Sequence, residues 1–139
     1  MSFDLKLNDG DLEFGPDGDF VLLTGREKLA QDLGKILLTR IGQDPGDSRY
    51  GTELRDLLGR RLDQQLLEGI AGKSVRLAVN FLQSLQFVQS TEQEVSFDEI
   101  IGDIEALEVK QPSFQKIQIT LSVLTVSGLR IIFTRNIGR

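Results

Sequence analysis

The chain has 139 residues, of which 40% are hydrophobic and 27% charged, and its formal net charge is −5. This length and composition predict one globular domain, residues 1–139, with its own core. The absence of Cys and His excludes disulfides, thiolate chemistry, His-dependent triads and the usual zinc sites. No apolar run is long enough to span a membrane and no secretory leader is recognisable, so we expect synthesis in the cytoplasm and no membrane partner.

Charge is unevenly distributed along the chain. Residues 1–20 have a net charge of −5, whereas residues 109–139 have a net charge of +5 and contain no acid. Two interpretations stay open: solvated surfaces of chance composition, or a polarised subunit whose ends dock on different neighbours. Because five dispersed basic residues on an acidic chain make a weak nucleic-acid footprint, we expect no nucleic acid as a partner.

The N-terminal region, residues 3–23, alternates apolar and polar side chains in short pieces. This pattern, with turn signals at residues 8–10 and 16–18, predicts short strands. The Asp-rich turns invite a calcium interpretation, but their spacing does not form a helix-flanked calcium loop with its closing Glu. Asx-type turns explain them better, and we expect neither a metal nor a cofactor.

The next stretch, residues 24–58, predicts a helix, a loop and a second short helical piece. Thr24 and Glu27 have the spacing of a capping box, and Gly34 inside the helix indicates a close packing contact. Gly42 is expected to end the helix, and Thr52 is a second candidate N-cap. The predicted apolar stripe consists of Leu29, Leu33, Ile36, Leu37 and Ile41.

A second helical region covers residues 63–89. Gly69 and Gly72 interrupt its broad apolar face, and we expect a short helix ending near Gly69 and a long one over residues 73–89. The alternative is that the glycines allow another backbone to approach closely. We predict that Phe81 and Phe87 lie in the core, and that residues 90–103 form a loop with one helical turn.

The C-terminal third predicts an antiparallel hairpin or a three-stranded sheet. Three segments, Ile104–Lys110, Gln115–Val126 and Leu129–Ile137, have strand character; the middle one alternates strictly. Gln111-Pro112 is expected to separate the first two strands, and Ser127-Gly128 to form a tight hairpin turn. The predicted fold class is therefore α+β, with short N-terminal strands, two main helical regions and this terminal sheet.

A diffuse set of spaced residues runs through the first helix and its loop. The set contains Gln31 in mid-helix, Thr39 after two leucines, and then Tyr50 and Gly51 after a polar loop. In this order it resembles the baseplate wedge family of contractile-tailed phages, also called tail-sheath initiators, which has a relative in the type VI secretion baseplate. The chain departs from that family at residues 91–95, which lack its frequent Glu-Pro-Arg triplet.

The resemblance implies a structural baseplate component that links the inner baseplate to the first sheath ring and initiates sheath assembly by offering a β-sheet edge. It implies as partners the tail sheath protein, other wedge proteins, and tail tube or hub proteins, in several copies of a sixfold assembly. The implied location is the virion tail baseplate, assembled in the host bacterial cytoplasm. We interpret the four motif residues as helix-end and loop structure rather than as partner contacts.

The last predicted strand ends near residue 139, so its outer edge is expected to be uncovered and open to another strand. Its arginines either guard that edge or steer an acidic partner strand. Proline at Ile131 or Phe133 is the expected disruptive change. The predicted sheath-docking residues are Leu129, Arg130, Ile131, Phe133 and Arg135. The alternative function is a soluble adaptor domain that binds a peptide strand at this edge.

We expect no enzymatic activity. Paired carboxylates can hydrolyse glycosidic bonds, and the family has been labelled lysozyme-like. Without Trp, and with a single Tyr, the chain has little with which to stack a sugar ring. The carboxylates considered for such a role are Glu92, Glu94, Asp98 and Glu99, and nothing in their sequence setting indicates a raised pKa.

Overall fold

The computed structural model describes residues 4–8, 11–12, 15–16, 22–23, 25–92 and 97–138. Its architecture is α+β, as predicted: two helices pack on one face of a C-terminal three-stranded antiparallel sheet, and four two-residue strands precede them. The elements are β1 (Asp4–Leu5), β2 (Leu7–Asn8), β3 (Asp11–Leu12), β4 (Leu22–Leu23), α1 (Gly25–Leu38), α2 (Gln64–Glu92), β5 (Ile101–Ser113), β6 (Lys116–Thr125) and β7 (Arg130–Gly138), with 3₁₀ turns at Leu54–Leu57 and Phe97–Glu99.

The sheet has the order β5-β6-β7, and the short strands form two separate pairs, β1 with β4 and β2 with β3. The alternation predicted for β6 is confirmed, since every second residue from Ile117 to Thr125 is buried against the helices. β7 continues this face with three buried side chains, Ile131, Phe133 and Ile137. The hairpin turn between β6 and β7 contains Ser127 and Gly128, as predicted.

Helix α1 begins at Gly25, and a carboxylate distant in sequence caps it. The Gly25 N–H donates to Oε1 of Glu99 at 2.9 Å, and Glu99 is only 2% exposed. The predicted capping residue, Thr24, lies outside the described residues. Gly34 makes the predicted close contact, because a Cβ there would lie 3.6 Å from the Phe133 ring.

The end of α1 differs from the prediction. The helix stops at Leu38 rather than near Gly42, and Ile41 is exposed instead of lying on the core stripe. The reason is that the Ile41 N–H leaves the helical pattern and donates to the Thr52 carbonyl at 2.9 Å. Thr52 also differs from its prediction as an N-cap. Glu53 occupies the N-cap position of the 3₁₀ turn, while the Thr52 hydroxyl donates to the Leu37 carbonyl.

Helix α2 is a single unbroken helix of 29 residues, so the predicted break between Gly69 and residue 73 is wrong. Tertiary packing on the sheet outweighs the weak helix propensity of two glycines. Gly72 faces the sheet, where a Cβ would lie 3.7 Å from Leu107, whereas Gly69 faces open space. Phe81 packs against the core as predicted, but Phe87 is 70% exposed, and its placement in the core is wrong.

The strand boundaries also differ. The predicted loop over residues 90–103 is occupied by the end of α2, a 3₁₀ turn at Phe97–Glu99 and the start of β5, within the residues described there. β5 runs through Pro112 to Ser113, so Pro112 does not end the strand as expected. Pro is compatible with this position because β5 is an edge strand of the sheet.

The unbroken α2 gives a direct test at Gly69. We expect Gly69→Ala to raise the free energy of unfolding by about 0.5–1 kcal/mol, because Ala is the better helix former and no atom lies near the new methyl group. Urea denaturation of the two proteins measures the difference. Gly42→Ala is the control, because Gly42 has equally open surroundings but a φ of +89°, which Ala adopts only with strain. A loss of stability in Gly69→Ala would contradict a continuous helix.

Candidate functional site

The two edges of the sheet differ in how their backbone groups are satisfied. At the β5 edge, glutamine side chains of α2 bond backbone groups of two residues, Ile101 and Val109. Gln64 Nε2 donates to the Val109 carbonyl at 2.8 Å, and Gln83 Nε2 to the Ile101 carbonyl at 3.1 Å. The Ile101 N–H in turn donates to Oε1 of the buried Gln86 at 2.9 Å. These bonds occupy backbone groups near both ends of the β5 edge that another strand would otherwise use.

Irregular pairing protects the β5 edge further. The β5–β6 register shifts three times, between Ile101 and Asp103, between Ile104 and Ala106, and between Lys110 and Ser113, and at each shift the additional residue is on β5. Such bulges bend and twist a strand, and Pro112 removes one N–H donor. A regular ladder cannot form along an edge shaped in this way.

The β7 edge is regular. β6 and β7 pair without a register shift from Lys116–Gly138 to Leu124–Arg130. The Thr125 N–H donates to the Leu129 carbonyl at 2.9 Å, which sets the phase of the ladder. Because bonded and non-bonded pairs alternate in an antiparallel ladder, the N–H and C=O groups of Ile132, Thr134 and Asn136 point away from β6. In the described ranges, no hydrogen bond reaches these outward backbone groups.

The predicted sheath-docking residues fall into two groups. Ile131 and Phe133 are 5% and 6% exposed, and their N–H groups face β6. Proline at either position would therefore damage the sheet itself, so the expected disruptive change has to move one residue along the strand. Leu129 is partly exposed in the turn, and Arg130 and Arg135 are exposed on β7. The most exposed apolar residue of β7 is one that was not predicted, Ile132, at 67%.

Arg130 is already engaged within the sheet. Its guanidinium donates to both carboxylate oxygens of Glu105, at 2.6 and 3.0 Å, and the Ser122 hydroxyl donates to the same carboxylate. The hydrogen bonds from Arg130, and secondarily from Ser122, lower the pKa of Glu105, and the same carboxylate raises the pKa of Arg130. The ion pair lies across β6, so Arg130 links the two outer strands of the sheet, β7 and β5.

An open groove of about 940 Å³ runs between α1 and the β7 edge. Its floor includes Gly34 and Phe133, and the Arg135 guanidinium lies over the Phe133 ring at 5.4 Å from the ring centre. Gln31 and Thr39 line the α1 side, and the N-terminal segment borders the groove through Lys6 and Leu7. The groove therefore gives access to β7 along the side of the sheet where the helices pack.

Gln31 holds the N-terminal segment at this groove. The Leu7 N–H donates to Gln31 Oε1 and Gln31 Nε2 donates to the Leu5 carbonyl, both at 2.8 Å. The amide side chain thus bonds an extended backbone as a neighbouring strand would. An amide side chain suits this position, because a side chain that only donates or only accepts could make only one of the two bonds.

Thr39, Tyr50 and Gly51 close the loop after α1. The Thr52 N–H donates to the Thr39 carbonyl at 2.8 Å, and a Cβ on Gly51 would lie 2.5 Å from that carbonyl oxygen. Gly51 also has a φ of +121°, so both the backbone conformation and the lack of space for a Cβ favour glycine here. The Tyr50 ring meets Phe81 of α2 edge-on, with ring centres 6.4 Å apart. These contacts give the motif residues roles in loop closure and packing.

The described part of the chain contains no cluster of acidic side chains arranged to hold a metal ion. Within the same ranges, no helix combines the length and apolarity that crossing a membrane requires. The structural feature that distinguishes this surface is an exposed strand edge beside a groove. In other proteins, exposed strand edges can bind a further strand through backbone hydrogen bonds.

Comparison with known proteins identifies a family and a similar fold. The family model described as contractile injection system sheath initiator matches residues 1–80. The fold is similar to a crystal structure described as a proposed tail lysozyme from Geobacter sulfurreducens, with a TM-score of 0.58 and 15% identity over 85% of this chain and 94% of that chain. At this identity the likeness concerns the fold. The comparison with curated proteins gave no match.

The bidentate contact of Gln31 gives a local prediction. We expect Gln31→Glu to speed hydrogen exchange at the Leu7 amide by about tenfold or more, because the donor to the Leu5 carbonyl is lost and two oxygens then face each other. NMR-detected exchange measures this. Glu27→Gln, an exposed change one turn earlier on α1, is the control and should leave exchange unchanged. Equal Leu7 exchange rates in Gln31→Glu and the unaltered protein would show that Gln31 does not hold the segment.

Proposed function

This chain belongs to the contractile injection system sheath initiator family, and we propose that it starts sheath assembly by accepting a strand of a sheath subunit along β7. The observation that carries the proposal is the contrast between the edges. Glutamine contacts and three bulges interrupt the β5 edge, whereas β7 is regular and has unbonded outward groups among the described residues. Strand addition requires an edge of this second kind, with a regular ladder and unbonded outward N–H and C=O groups.

The added strand would become the fourth strand of the sheet. Ile132, Thr134 and Asn136 each offer it an N–H donor and a C=O acceptor. Each backbone hydrogen bond contributes a net of about 0.5–1.5 kcal/mol, so a short strand gains much of its affinity from the ladder itself. The groove beside α1 gives the strand's inward side chains a surface on which to pack. β7 provides a preformed template, so the protein loses little conformational entropy on binding.

We propose that the tail sheath protein is the partner at β7, and that the inner baseplate, with its other wedge proteins and tail tube or hub proteins, is contacted elsewhere. The uneven charge distribution along the chain supports separate docking surfaces. On this proposal several copies act in a sixfold tail baseplate of a virion or related particle, which is assembled in the bacterial cytoplasm. Each copy then presents one open strand to the first sheath ring.

We further propose that the protein works without catalysis. Glu99, one of the carboxylates considered for glycosidic hydrolysis, is buried and caps α1, which supports a structural role for it. Glu94 lies outside the described residues. A muramidase assay on purified cell walls should give the same background rate for the protein and for its Glu94→Gln variant. Lytic activity that the substitution abolishes would refute this proposal.

The strand-addition proposal predicts opposite behaviour for proline at adjacent positions. Ile132→Pro removes an outward N–H, and edge strands tolerate Pro, so we expect a folded protein that no longer recruits sheath subunits. Ile131→Pro removes an N–H that faces β6 and leaves its acceptor unpaired, so it should lower the free energy of unfolding by about 1–3 kcal/mol. Sheathed particles counted by electron microscopy after complementation, together with urea denaturation, measure both effects.

Two further variants make this test decisive. Ile132→Thr retains the N–H while it shortens the exposed side chain, and it should recruit sheath normally if backbone pairing matters. Thr134→Pro repeats the loss of an outward donor at a second position and should behave as Ile132→Pro does. Normal sheath assembly with both folded proline variants would eliminate β7 as the docking edge.

A further inference from the structure

Within the described residues, one end of the molecule combines an exposed aromatic ring with cations that are paired with no carboxylate. The hairpin tip between β5 and β6 and the linker that leads into α2 meet there. We infer that this surface binds an acidic peptide segment of a partner protein, with carboxylates on the cations and an apolar side chain beside the ring. We call the surface the basic end, and it consists of Arg60, Arg61, Phe114 and Lys116.

Two hydrogen bonds hold the linker against the hairpin tip. The Gly59 N–H donates to the Phe114 carbonyl at 2.9 Å, and Gln111 Nε2 donates to the Arg60 carbonyl at 3.0 Å. The cations and the ring therefore project from backbone segments that are bonded to each other. A partner meets them in place, without the entropic cost of ordering two separate loops.

The centre of the basic end is a stacked pair. The Arg61 guanidinium lies over the Phe114 ring, 5.6 Å from the ring centre, and Phe114 is 47% exposed. Stacking positions the guanidinium but uses none of its N–H donors, and no described residue accepts a hydrogen bond from it. These donors have the planar fork that binds a carboxylate through two parallel hydrogen bonds.

The charge of the basic end is unbalanced. No carboxylate of the described residues is paired with Arg60, Arg61 or Lys116. The nearest acid in sequence is Asp63, which accepts a backbone N–H at the start of α2 at 2.7 Å. The basic end therefore has three cations against one carboxylate, and that carboxylate is already engaged.

Lys116 extends the basic end towards β7 but leaves the strand edge free. It is opposite Ser113 on β5 and opposite Gly138, at the end of β7. Thr134 is opposite Thr120, four residues further along β6, which corresponds to about 13 Å. A segment bound at the basic end does not cover the outward groups in the middle of β7, so its binding is independent of strand addition there.

An acidic peptide fits the basic end better than a nucleic acid does. Bases stack on a free aromatic face, and here the Arg61 guanidinium covers a face of the Phe114 ring. Binding to a phosphate backbone draws on many cations, whereas this chain has a net charge of −5. A carboxylate needs one guanidinium fork, and an apolar side chain beside it packs on the exposed part of the ring.

Three octapeptides provide the test. The first carries Glu on both sides of a central Leu, the second has Gln in place of every Glu, and the third has Ser in place of the Leu. We expect the Gln peptide to bind about tenfold more weakly than the first, because two partly exposed ion pairs are lost. The Ser peptide should bind about threefold more weakly, because an apolar contact is lost. NMR titrations measure each Kd, and shifts of the Gly59, Phe114 and Gln115 amides report binding at the basic end.

Matched variants separate the fork from the charge. Arg61→Glu should remove the preference for the Glu peptide over the Gln peptide. Arg61→Lys retains the charge but not the planar fork, and should bind the Glu peptide about threefold more weakly than the unaltered protein. Arg76→Glu makes the same charge change as Arg61→Glu on an exposed position in the middle of α2, and should leave all three affinities unchanged. Circular dichroism checks that the variants are folded.

Equal affinity for the Glu and Gln peptides, or a preference that Arg61→Glu leaves unchanged, would overturn the assignment of an acidic partner. So would peptide shifts that lie outside the basic end. If an oligothymidine of eight nucleotides shifts the same amides and binds more tightly than the Glu peptide, the basic end recognises phosphates instead.

The proposed function is tested separately. Ile132→Pro alters the β7 edge alone, so it should bind the Glu peptide with the Kd of the unaltered protein. If Ile132→Pro recruits sheath normally while Arg61→Glu loses the Glu preference, strand addition falls and the basic end stands. The reverse pair of results has the opposite meaning.

Discussion

The structure depends on how the backbone of a three-stranded sheet is satisfied at its two edges. A sheet in isolation has two equivalent templates for further strands, and either can aggregate. Here α2 lies across the sheet and directs glutamine amides at the β5 edge, where they bond the backbone of Ile101 and Val109. The same helix, α2, thus packs its apolar face on the sheet and occupies backbone groups at one edge. The β7 edge is the regular one, with no side-chain bond to its outward backbone groups among the described residues.

Much of this fold follows from the sequence, because the periodicities are strong. The alternation in β6 and the spacing of Leu29, Leu33 and Ile36 in α1 predict buried faces that the structure contains. The predicted break in α2 is wrong. Gly69 and Gly72 each cost the helix only about 1 kcal/mol relative to Ala, and the free energy gained by burying the helix on the sheet exceeds that cost. The prediction that Ile41 lies on the apolar stripe is wrong for a different reason. Its backbone N–H bonds the Thr52 carbonyl, so the helix and its stripe end before residue 41.

The candidate site was less predictable than the fold. An exposed last strand could be predicted. Which of its residues direct their backbone N–H and C=O groups away from β6 could not, because the turn at Thr125 and Leu129 sets the phase of the ladder. The ion pair of Arg130 with Glu105 depends on the register of three strands and on the bulges in β5. The edge-closing glutamines are equally hidden in the sequence, where Gln64, Gln83 and Gln86 look like ordinary polar positions of an amphipathic helix.

Two of the residues on which the family resemblance is based, Gln31 and Gly51, have a physical interpretation in terms of backbone geometry. Gln31 is a two-way hydrogen-bonding group for an extended segment, and Gly51 occupies a position where any side chain would meet the Thr39 carbonyl. Neither residue needs a particular neighbour in sequence, only a particular place in space.

The bulges of β5 also have a mechanical consequence. A regular ladder can slip in steps of two residues, because each slip restores the same faces, whereas an additional residue on one strand fits at a single register. β5 and β6 are locked in this way at three places, and the Arg130–Glu105 pair links β7 to the locked strand. The bulges thus fix the register of β5 on β6, whereas the register of β7 on β6 depends on the hairpin turn at Thr125 and Leu129 and on the buried side chains of β7. Shear along the sheet therefore meets more resistance between β5 and β6 than between β6 and β7.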